Sequence, residues 1–371
     1  MLIVTQFWNK KCTNISKKKN EFLQGRFMKK ERIIQILLIS IVVAFVGCAQ
    51  PNDPLATETV ESLNVVHFYP TTGYVLDAAV TADRIYAAED QAGFSIFNHQ
   101  TNALLVDFYE SNYENMRLIQ PVEEDSLLVV YVPYGGLNGI RIFDISDPED
   151  VQNVATISGQ TTDLFEMKTY RHDDGIEVIW SLDNGTNKIM LGGSLAFDEE
   201  FNSWLWAGGV ADYEFDFEIG KFDFANNHFF ICSEQLGISI YQRGEFAPTF
   251  VSRFDTKGIP QSVKVVDDFV YVADRQNGLV IADISDLNNP QIVAEVATSG
   301  YAQDVAVEGD YLALASGGGG LYVFDISDPV NPRRIGRIDD SEIGYTYNVN
   351  IQDGKIFAGS RIGVSQISIQ D

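Results

Sequence analysis

The chain has 371 residues, of which 12% are aromatic and 45% are hydrophobic, and this composition excludes an intrinsically disordered protein. Residues 48–371 hold 17 Lys and Arg against 50 Asp and Glu, a formal charge of −33. So acidic a surface repels phosphate backbones, which argues against a nucleic acid as partner.

The N-terminal region has the pattern of a secretory signal. A basic stretch begins at Met28, and an apolar run follows from Ile33 to Gly47. The run is too short to indicate a membrane span. We therefore predict that residues 1–27 are an extension upstream of the true start at Met28, and that residues 28–47 are a signal peptide.

The segment Ala44-Phe45-Val46-Gly47-Cys48 resembles a bacterial lipobox, although Phe45 stands where leucine is usual. The resemblance implies cleavage before Cys48 and lipidation of Cys48, with an uncleaved signal anchor as the alternative. Residues 48–61 are polar and are predicted to form a flexible tether.

The rest of the chain is built on one repeat. Its marker is a short apolar strand that ends in a turn, as in Gly320–Pro332. Successive copies start 41 to 51 residues apart, at Gly93, Gly139, Thr186, Gly237, Gly278, Gly320 and Gly363. A period of this length made only of strands is typical of propeller blades.

Each repeat contains four predicted strands. In the sixth repeat they cover residues 301–307, 311–315, 321–325 and 334–338. The seventh repeat lacks its fourth strand, and residues 62–73 have the pattern of the missing piece. We therefore predict an all-β, seven-bladed β-propeller over residues 62–371, whose last blade is closed by an N-terminal strand. Six or eight blades would follow if the degenerate third repeat were miscounted.

The motifs Gly-Leu-Val-Ile-Ala-Asp-Ile-Ser-Asp (278–286) and Gly-Leu-Tyr-Val-Phe-Asp-Ile-Ser-Asp-Pro (320–329) resemble the LVIVD repeat. The resemblance is good in repeats two, five and six, partial in one, four and seven, and poor in three. It implies a bacterial, largely extracytoplasmic β-propeller. The resemblance implies no catalytic residues in this sequence.

Propeller ligands usually meet the face that carries the loops between blades and the hairpins between second and third strands. Exposed tyrosines among charged residues are typical of a recognition surface, although the same tyrosines could pack between blades. The predicted ligand- or partner-binding residues on this face are Tyr74, Asp77, Glu89, Asp90, Glu234, Asp274, Arg275, Tyr301, Asp304, Tyr345, Asn348 and Arg361.

No metal, cofactor or catalytic residue is predicted. His67, His99, His172 and His228 are scattered over different repeats. Turn capping explains the paired aspartates of the Asp-Ile-Ser-Asp motifs more simply than calcium binding does. Cys232 lies in an apolar strand and is predicted to be a buried core residue.

The aromatic segment Phe197–Trp206 could be a protruding contact patch or core filling for an irregular blade. We predict a lipid-anchored binding or scaffold module of a bacterial cell envelope, in the outer membrane, on its periplasmic or its surface side. Its partner would be an envelope or extracellular protein or a glycan. The alternatives are a propeller enzyme that acts on a sugar or lactone, and a glycan-binding surface lipoprotein.

Overall fold

The structure, a computed structural model, describes residues 63–109, 115–133, 139–157, 163–172, 175–183, 185–200, 203–207 and 211–369. The predicted extension, signal peptide, lipidated Cys48 and tether lie outside these residues. Within this part of the chain, the helices are α1 (Asp340–Ile343) and a 3₁₀ turn at Glu123–Asp125. No helix among the described residues is long and apolar enough to cross a membrane.

In the described residues, twenty-nine strands form seven antiparallel sheets, which are the blades of a propeller. The chain begins with β1 (Leu63–Pro70), which belongs to the last blade. Blade 1 comprises β2 (Asp77–Val80), β3 (Arg84–Ala88), β4 (Phe94–Asn98) and β5 (Ala103–Phe108). Blade 2 comprises β6 (Leu118–Val122), β7 (Leu127–Val132), β8 (Gly139–Asp144) and β9 (Gln152–Ile157).

Blade 3 has five strands, and this corrects the simple four-stranded expectation for the degenerate repeat. They are β10 (Leu164–His172), β11 (Gly175–Asp183), β12 (Asn187–Asp198), β13 (Ser203–Ala207) and β14 (Ala211–Phe215). The long β12 pairs with β14 along its first half and with β13 along its second half. The third repeat is therefore one blade with an inserted strand, and the count of seven blades is correct.

Blades 4 to 6 are regular four-stranded meanders. Blade 4 comprises β15 (Phe222–Ala225), β16 (His228–Ser233), β17 (Gly237–Gln242) and β18 (Thr249–Phe254). Blade 5 comprises β19 (Ser262–Val266), β20 (Phe269–Asp274), β21 (Gly278–Asp283) and β22 (Gln291–Val296). Blade 6 comprises β23 (Asp304–Glu308), β24 (Tyr311–Ala315), β25 (Leu321–Asp325) and β26 (Arg333–Ile338).

Blade 7 joins the two ends of the described chain, which confirms the predicted closure. It comprises β27 (Thr346–Gln352), β28 (Lys355–Ser360), β29 (Gly363–Ile369) and β1, in that order. The pairing of β1 with β29 runs from Leu63 opposite Ile369 to Pro70 opposite Gly363. The N-terminal strand therefore supplies the fourth strand that the last repeat lacks.

The hydrophobic core is divided into seven clusters, and each lies between two neighbouring blades. The cluster between blades 7 and 1 contains Tyr69 and Val364 from one blade and Ile85 from the other. Since every blade packs on both neighbours, the ring is closed by apolar contacts as well as by strand pairing.

The glycine that opens the repeat motif is required by its backbone. At Gly278 φ is +84°, and a Cβ there would lie 2.3 Å from the carbonyl oxygen of Val296 on the outer strand. Gly320 has the same two constraints, with φ +77° and 2.0 Å to the oxygen of Ile338. Only glycine combines positive φ with so close an approach, which explains why the motif begins with it.

The aspartates of the Asp-Ile-Ser-Asp motif cap two successive turns, as predicted. Asp283 Oδ1 accepts a hydrogen bond from Ser285 N at 2.8 Å, and Asp286 Oδ1 accepts one from Asn288 N at 3.0 Å. The corresponding aspartates of blades 2 and 6 make the same contacts. Their carboxylates are thus used to fix the connection between the third and fourth strands.

Candidate functional site

The upper face of the propeller carries the loops between blades and the hairpins between second and third strands. The lower face carries the other two sets of turns. The structure separates the twelve predicted site residues into four groups. Three lie in the central channel, five form aromatic–arginine contacts on the upper face, three hold loops together, and one lines a separate cavity.

The central cavity has a volume of about 370 Å³ and is lined by the first strands of all seven blades. Each blade contributes at least one polar residue to the lining, and these residues include Asp77, Gln120, Glu166, Lys221, Ser262, Asp304 and Asn348. Two positions further along the same strands, Lys168, Lys264 and Asn350 also line it. The predicted residues Asp77, Asp304 and Asn348 therefore do come together.

Asn348 joins the two channel aspartates. Its Nδ2 donates to Asp77 Oδ1 and to Asp304 Oδ2, each at 3.0 Å. Its Oδ1 accepts a hydrogen bond from Asn350 Nδ2 at 2.9 Å. This side-chain network links blade 6, blade 7 and blade 1 on one side of the channel.

Channel aspartates also bind the backbone of the next blade. Asp77 Oδ2 accepts a hydrogen bond from Ile119 N at 2.9 Å, and Asp304 Oδ2 accepts one from Val349 N at 3.1 Å. In blade 4, Asp223 makes the corresponding contact with Val265 N at 2.9 Å, two positions further along its strand. These carboxylates fix neighbouring inner strands to each other.

Burial raises the pKa of Asp77 from 3.8 to about 7, and the nearby charge of Glu166 acts in the same direction. Lys221 and the hydrogen bond from Ile119 oppose the shift but do not cancel it. The channel therefore holds a carboxyl group that changes its charge near neutral pH.

Three lysines enter the channel from three consecutive blades. Lys168 Nζ lies 3.5 Å and Lys264 Nζ lies 3.8 Å from the Asp223 carboxylate, and Lys221 Nζ lies 3.8 Å from Asp304 Oδ1. Burial lowers the pKa of Lys221, but the carboxylates of Asp304, Glu166 and Asp77 outweigh it and raise that pKa. The carboxylates of Glu166 and Asp223 likewise outweigh burial at Lys168 and raise its pKa, so Lys168 and Lys221 are charged at neutral pH.

On the upper face, Arg361 is surrounded by three tyrosines, and we call Tyr74, Tyr345, Tyr347 and Arg361 the tyrosine–arginine surface. The guanidinium carbon lies 4.8 Å from the ring centre of Tyr345 and 5.9 Å from that of Tyr74. Its Nε donates to the hydroxyl of Tyr347 at 2.9 Å. Arg361 is exposed and Tyr74 is 52% exposed, so this cluster is accessible to a partner.

A second contact of the same kind lies further round the upper face. Arg275 is positioned over the ring of Tyr301 at 5.3 Å, and Tyr301 is 47% exposed. The backbone of Arg275 also pairs with Ala302 of the next inter-blade loop. Tyr74, Tyr301 and Tyr345 therefore all contact arginines on the upper face.

Glu89 and Asp274 are fully buried and hold loops in place. Glu89 Oε2 accepts hydrogen bonds from Thr72 N at 2.9 Å and from Gly73 N at 3.1 Å. Asp274 accepts from Thr256 Oγ1 and Gly258 N in the same way. These two predicted site residues lie beneath the surface, where each one fixes an inter-blade loop to the blade that follows it.

Asp90 pairs with Met116 through the backbone, from Asp90 N to Met116 O at 3.0 Å and from Met116 N to Asp90 O at 2.8 Å. This bridge ties the blade 1 hairpin to the loop that leads into blade 2. Asp90 is half-buried and also belongs to the loop-holding group.

We expect Glu89→Ala to lower the free energy of unfolding by about 2–4 kcal/mol, because two buried N–H groups lose their acceptor. Glu89→Gln keeps a carbonyl oxygen there and should cost less than about 1 kcal/mol. Urea unfolding measures both, and Glu234→Ala, at an exposed hairpin glutamate of blade 4, is the control. Equal losses for Glu89→Ala and Glu234→Ala would contradict this role.

Glu234 lines a second cavity, of about 350 Å³, on the upper side of blades 3 to 5. Phe165, Ile219 and Pro260 supply its apolar wall, and Lys221 lines both this cavity and the central one. Cys232 also borders it and is 1% exposed in the core between blades 4 and 5, which confirms its predicted burial.

The aromatic segment of blade 3 combines both predicted roles. Trp204 and Trp206 are partly buried against the cluster between blades 2 and 3. Phe197 and Leu205 are 47% and 42% exposed, and the Phe197 ring packs edge-on against Trp204 at 5.4 Å. The tryptophans therefore fill the irregular blade, while the other two side chains face solvent.

Most of the channel residues were not predicted from the sequence. Glu166, Lys168, Lys221, Asp223 and Lys264 were not among the predicted residues, although they line the cavity or pair within it. A signal for them was present: polar residues two positions apart in the first strand of a repeat must share one face. Applied to every first strand, this periodicity would have identified the channel positions.

Comparison with known proteins agrees with the geometry. A family model described as the LVIVD repeat matches residues 257–298 and 299–340, which cover blades 5 and 6. The crystal structure of the computationally designed Ika8 protein is similar in fold, with a TM-score of 0.53 and 10% identity over 84% of this chain and 100% of that one. No curated protein sequence matches the chain. The protein is therefore a seven-bladed β-propeller that carries LVIVD repeats.

Proposed function

We propose that this protein is a binding module of a bacterial cell envelope, held by a lipid on Cys48, that engages a protein partner through the tyrosine–arginine surface. The observation that carries the proposal is the exposed Arg361 held among Tyr74, Tyr345 and Tyr347. Tyrosine and arginine are among the residues most enriched where binding energy concentrates in protein interfaces.

The surface is already arranged before a partner binds. The hydroxyl of Tyr345 accepts a hydrogen bond from Gln303 Nε2 at 3.4 Å, and its ring packs directly on Gly317, where a Cβ would lie 2.7 Å from it. Because these side chains are held by neighbours, little conformational entropy is lost when a partner covers them. This favours binding over a purely structural role for the exposed rings.

The position of the described N-terminus is compatible with an anchored module. β1 starts at Leu63 opposite Ile369 on the lower face and ends at Pro70 beside the upper hairpin at Gly363. A tether that leads from Cys48 would thus join the propeller on the face opposite the tyrosine–arginine surface. Support for the anchor itself comes from the lipobox-like segment of the sequence.

The test is crosslinking on intact cells followed by mass spectrometry of captured proteins. We expect Arg361→Ala to reduce capture of the partner by about tenfold or more, as expected for a central interface arginine. Tyr311→Ala is the matched control, because Tyr311 is 38% exposed on the lower face. Tyr311→Ala should leave capture of the partner unchanged. Cys48→Ala should abolish capture, because the protein then loses its lipid anchor.

Two outcomes would contradict the proposal. Equal capture by Arg361→Ala and the parent chain would show that another surface binds the partner. Background proteins alone, with the propeller folded and anchored, would redirect the search to glycans. In that case a polysaccharide array with Tyr301→Ala as the binding-deficient variant is the next measurement.

A further inference from the structure

Two arginine–tyrosine contacts of the upper face lie on either side of blade 6. The guanidinium carbon of Arg275, in the blade 5 hairpin, is 5.3 Å from the ring centre of Tyr301, on the loop into blade 6. That of Arg361, in the blade 7 hairpin, is 4.8 Å from the ring centre of Tyr345, on the loop into blade 7. Because blade 6 packs on blades 5 and 7, its own hairpin separates the two contacts.

The hairpin of blade 6 is made of glycine, so it places no side chain between these contacts. A Cβ at Gly319 would lie 1.8 Å from the carbonyl oxygen of Ser299, and one at Gly317 would lie 2.7 Å from the Tyr345 ring. Gly318 is exposed, and the nearest atoms to a Cβ there belong to Tyr345 at 4.0 Å. The hairpin is therefore an open floor that the chain of a partner can cross.

The two arginines have no carboxylate partner. Among the residues that the structure describes, Arg275 and Arg361 form no ion pair, and the Arg361 side chain donates one hydrogen bond, to the Tyr347 hydroxyl. In contrast, Arg243 pairs with Glu177 at 2.6 Å. A guanidinium group has five N–H donors, so most of the donors of Arg275 and Arg361 are open to a partner.

Carboxylates are the acceptors that fit these donors. A guanidinium group that lies over an aromatic ring keeps its planar fork of N–H groups, which matches a carboxylate with two parallel hydrogen bonds. The ring contacts also hold both arginines in position before binding, which reduces the entropy lost when a partner is bound.

The acidity of the remaining surface makes such recognition selective. Residues 48–371 carry 50 Asp and Glu against 17 Lys and Arg, so most of the surface repels an acidic segment. At physiological salt this repulsion is screened beyond about 8 Å, whereas direct contacts with arginine are not. An acidic segment is thus rejected elsewhere and retained where the unpaired arginines face it.

We propose that the protein partner docks a segment with at least two acidic side chains across the blade 6 hairpin, with one carboxylate bound by Arg275 and another by Arg361. This inference rests on the proposed function, because it names the chemistry of the partner that the tyrosine–arginine surface engages. It also extends the contact region beyond that surface, to Arg275 and Tyr301.

A phage-displayed library of random peptides, selected on the full chain and depleted on an Arg275→Gln/Arg361→Gln double variant, tests the proposal. We expect the retained peptides to be enriched in Asp and Glu. In fluorescence anisotropy these peptides should bind each single variant about tenfold more weakly or worse, since each variant loses a charged, forked donor. Arg253→Gln is the matched control and should bind like the parent chain, because Arg253 lies over Phe250 on blade 4.

Arg361→Lys keeps the charge without the fork, so it should recover part of the binding lost in Arg361→Gln and thereby show that the loss is not a failure to fold. Three results would overturn the proposal: retained peptides that are basic or apolar, equal weakening by Arg253→Gln, or no peptide that distinguishes the parent chain from the double variant.

The peptide selection and the capture on cells fail independently. If Arg361→Ala lowers capture but the retained peptides are not acidic, the proposed function stands and this inference is wrong. If acidic peptides bind as expected but Arg361→Ala leaves capture unchanged, the partner on cells docks elsewhere and the proposed function is wrong.

Discussion

A chain that begins at Thr71, and so lacks β1, should lose most of its stability. β1 pairs with β29 from Leu63 to Pro70, and Tyr69 is 1% exposed in the cluster between blades 7 and 1. Its removal uncovers that cluster and leaves β29 with an unpaired edge. We expect a loss above about 5 kcal/mol, comparable to the whole stability of many domains.

Urea unfolding monitored by tryptophan fluorescence measures this loss. A chain that begins at Ser62 is the control. Like the shorter chain it lacks residues 1–61, but it retains β1. A synthetic peptide of residues 62–72 added to the shorter chain should restore a cooperative transition. If the chain from Thr71 unfolds at the same urea concentration as the control, β1 does not close the ring.

Asp77→Asn should change how stability depends on pH. The pKa of Asp77 is about 7 in the folded chain, against an ordinary value of 3.8. At a pH between these two pKa values, Asp77 holds a proton in the folded state that it has lost in the unfolded state. Stability therefore falls as pH rises from about 4 to about 7, and the loss is complete above pH 7.

Three pKa units correspond to about 4 kcal/mol, so the stability of Asp77→Asn relative to the parent should rise by up to about 4 kcal/mol from pH 4 to pH 8. Urea unfolding at pH 4, 6 and 8 gives this difference. Asp310→Asn, in an exposed hairpin of blade 6, is the control. If the stability difference between Asp77→Asn and the parent chain stayed constant across this pH range, burial would not have raised the pKa of Asp77.

Much of the architecture was predictable because the repeats are local patterns. In blade 6 the predicted strands 311–315 and 321–325 agree with the observed bounds, and the fourth strand differs by one residue. Blade 3 was less predictable, because β13 is inserted after a strand of twelve residues. No repeat pattern specifies an insertion, so its pairing became apparent only in the folded blade.

The candidate site was harder to predict. Position in a hairpin does not reveal whether a side chain turns outward, as Arg361 does, or inward, as Glu89 does. The channel depends on seven strands that are distant in sequence and meet only when the ring closes. Asn348 and Asp77, which are 271 residues apart, are joined by a hydrogen bond that no local pattern implies.

The entry of the chain through β1 also determines how the molecule would bear mechanical load. In an antiparallel pair the inter-strand hydrogen bonds lie across the strand direction. A pull on the N-terminus at Leu63, opposed by a partner held on the upper face, acts along β1 and loads its pairs with β29 together. The closing strand would resist such tension by shear, which is a stronger arrangement than peeling one pair at a time.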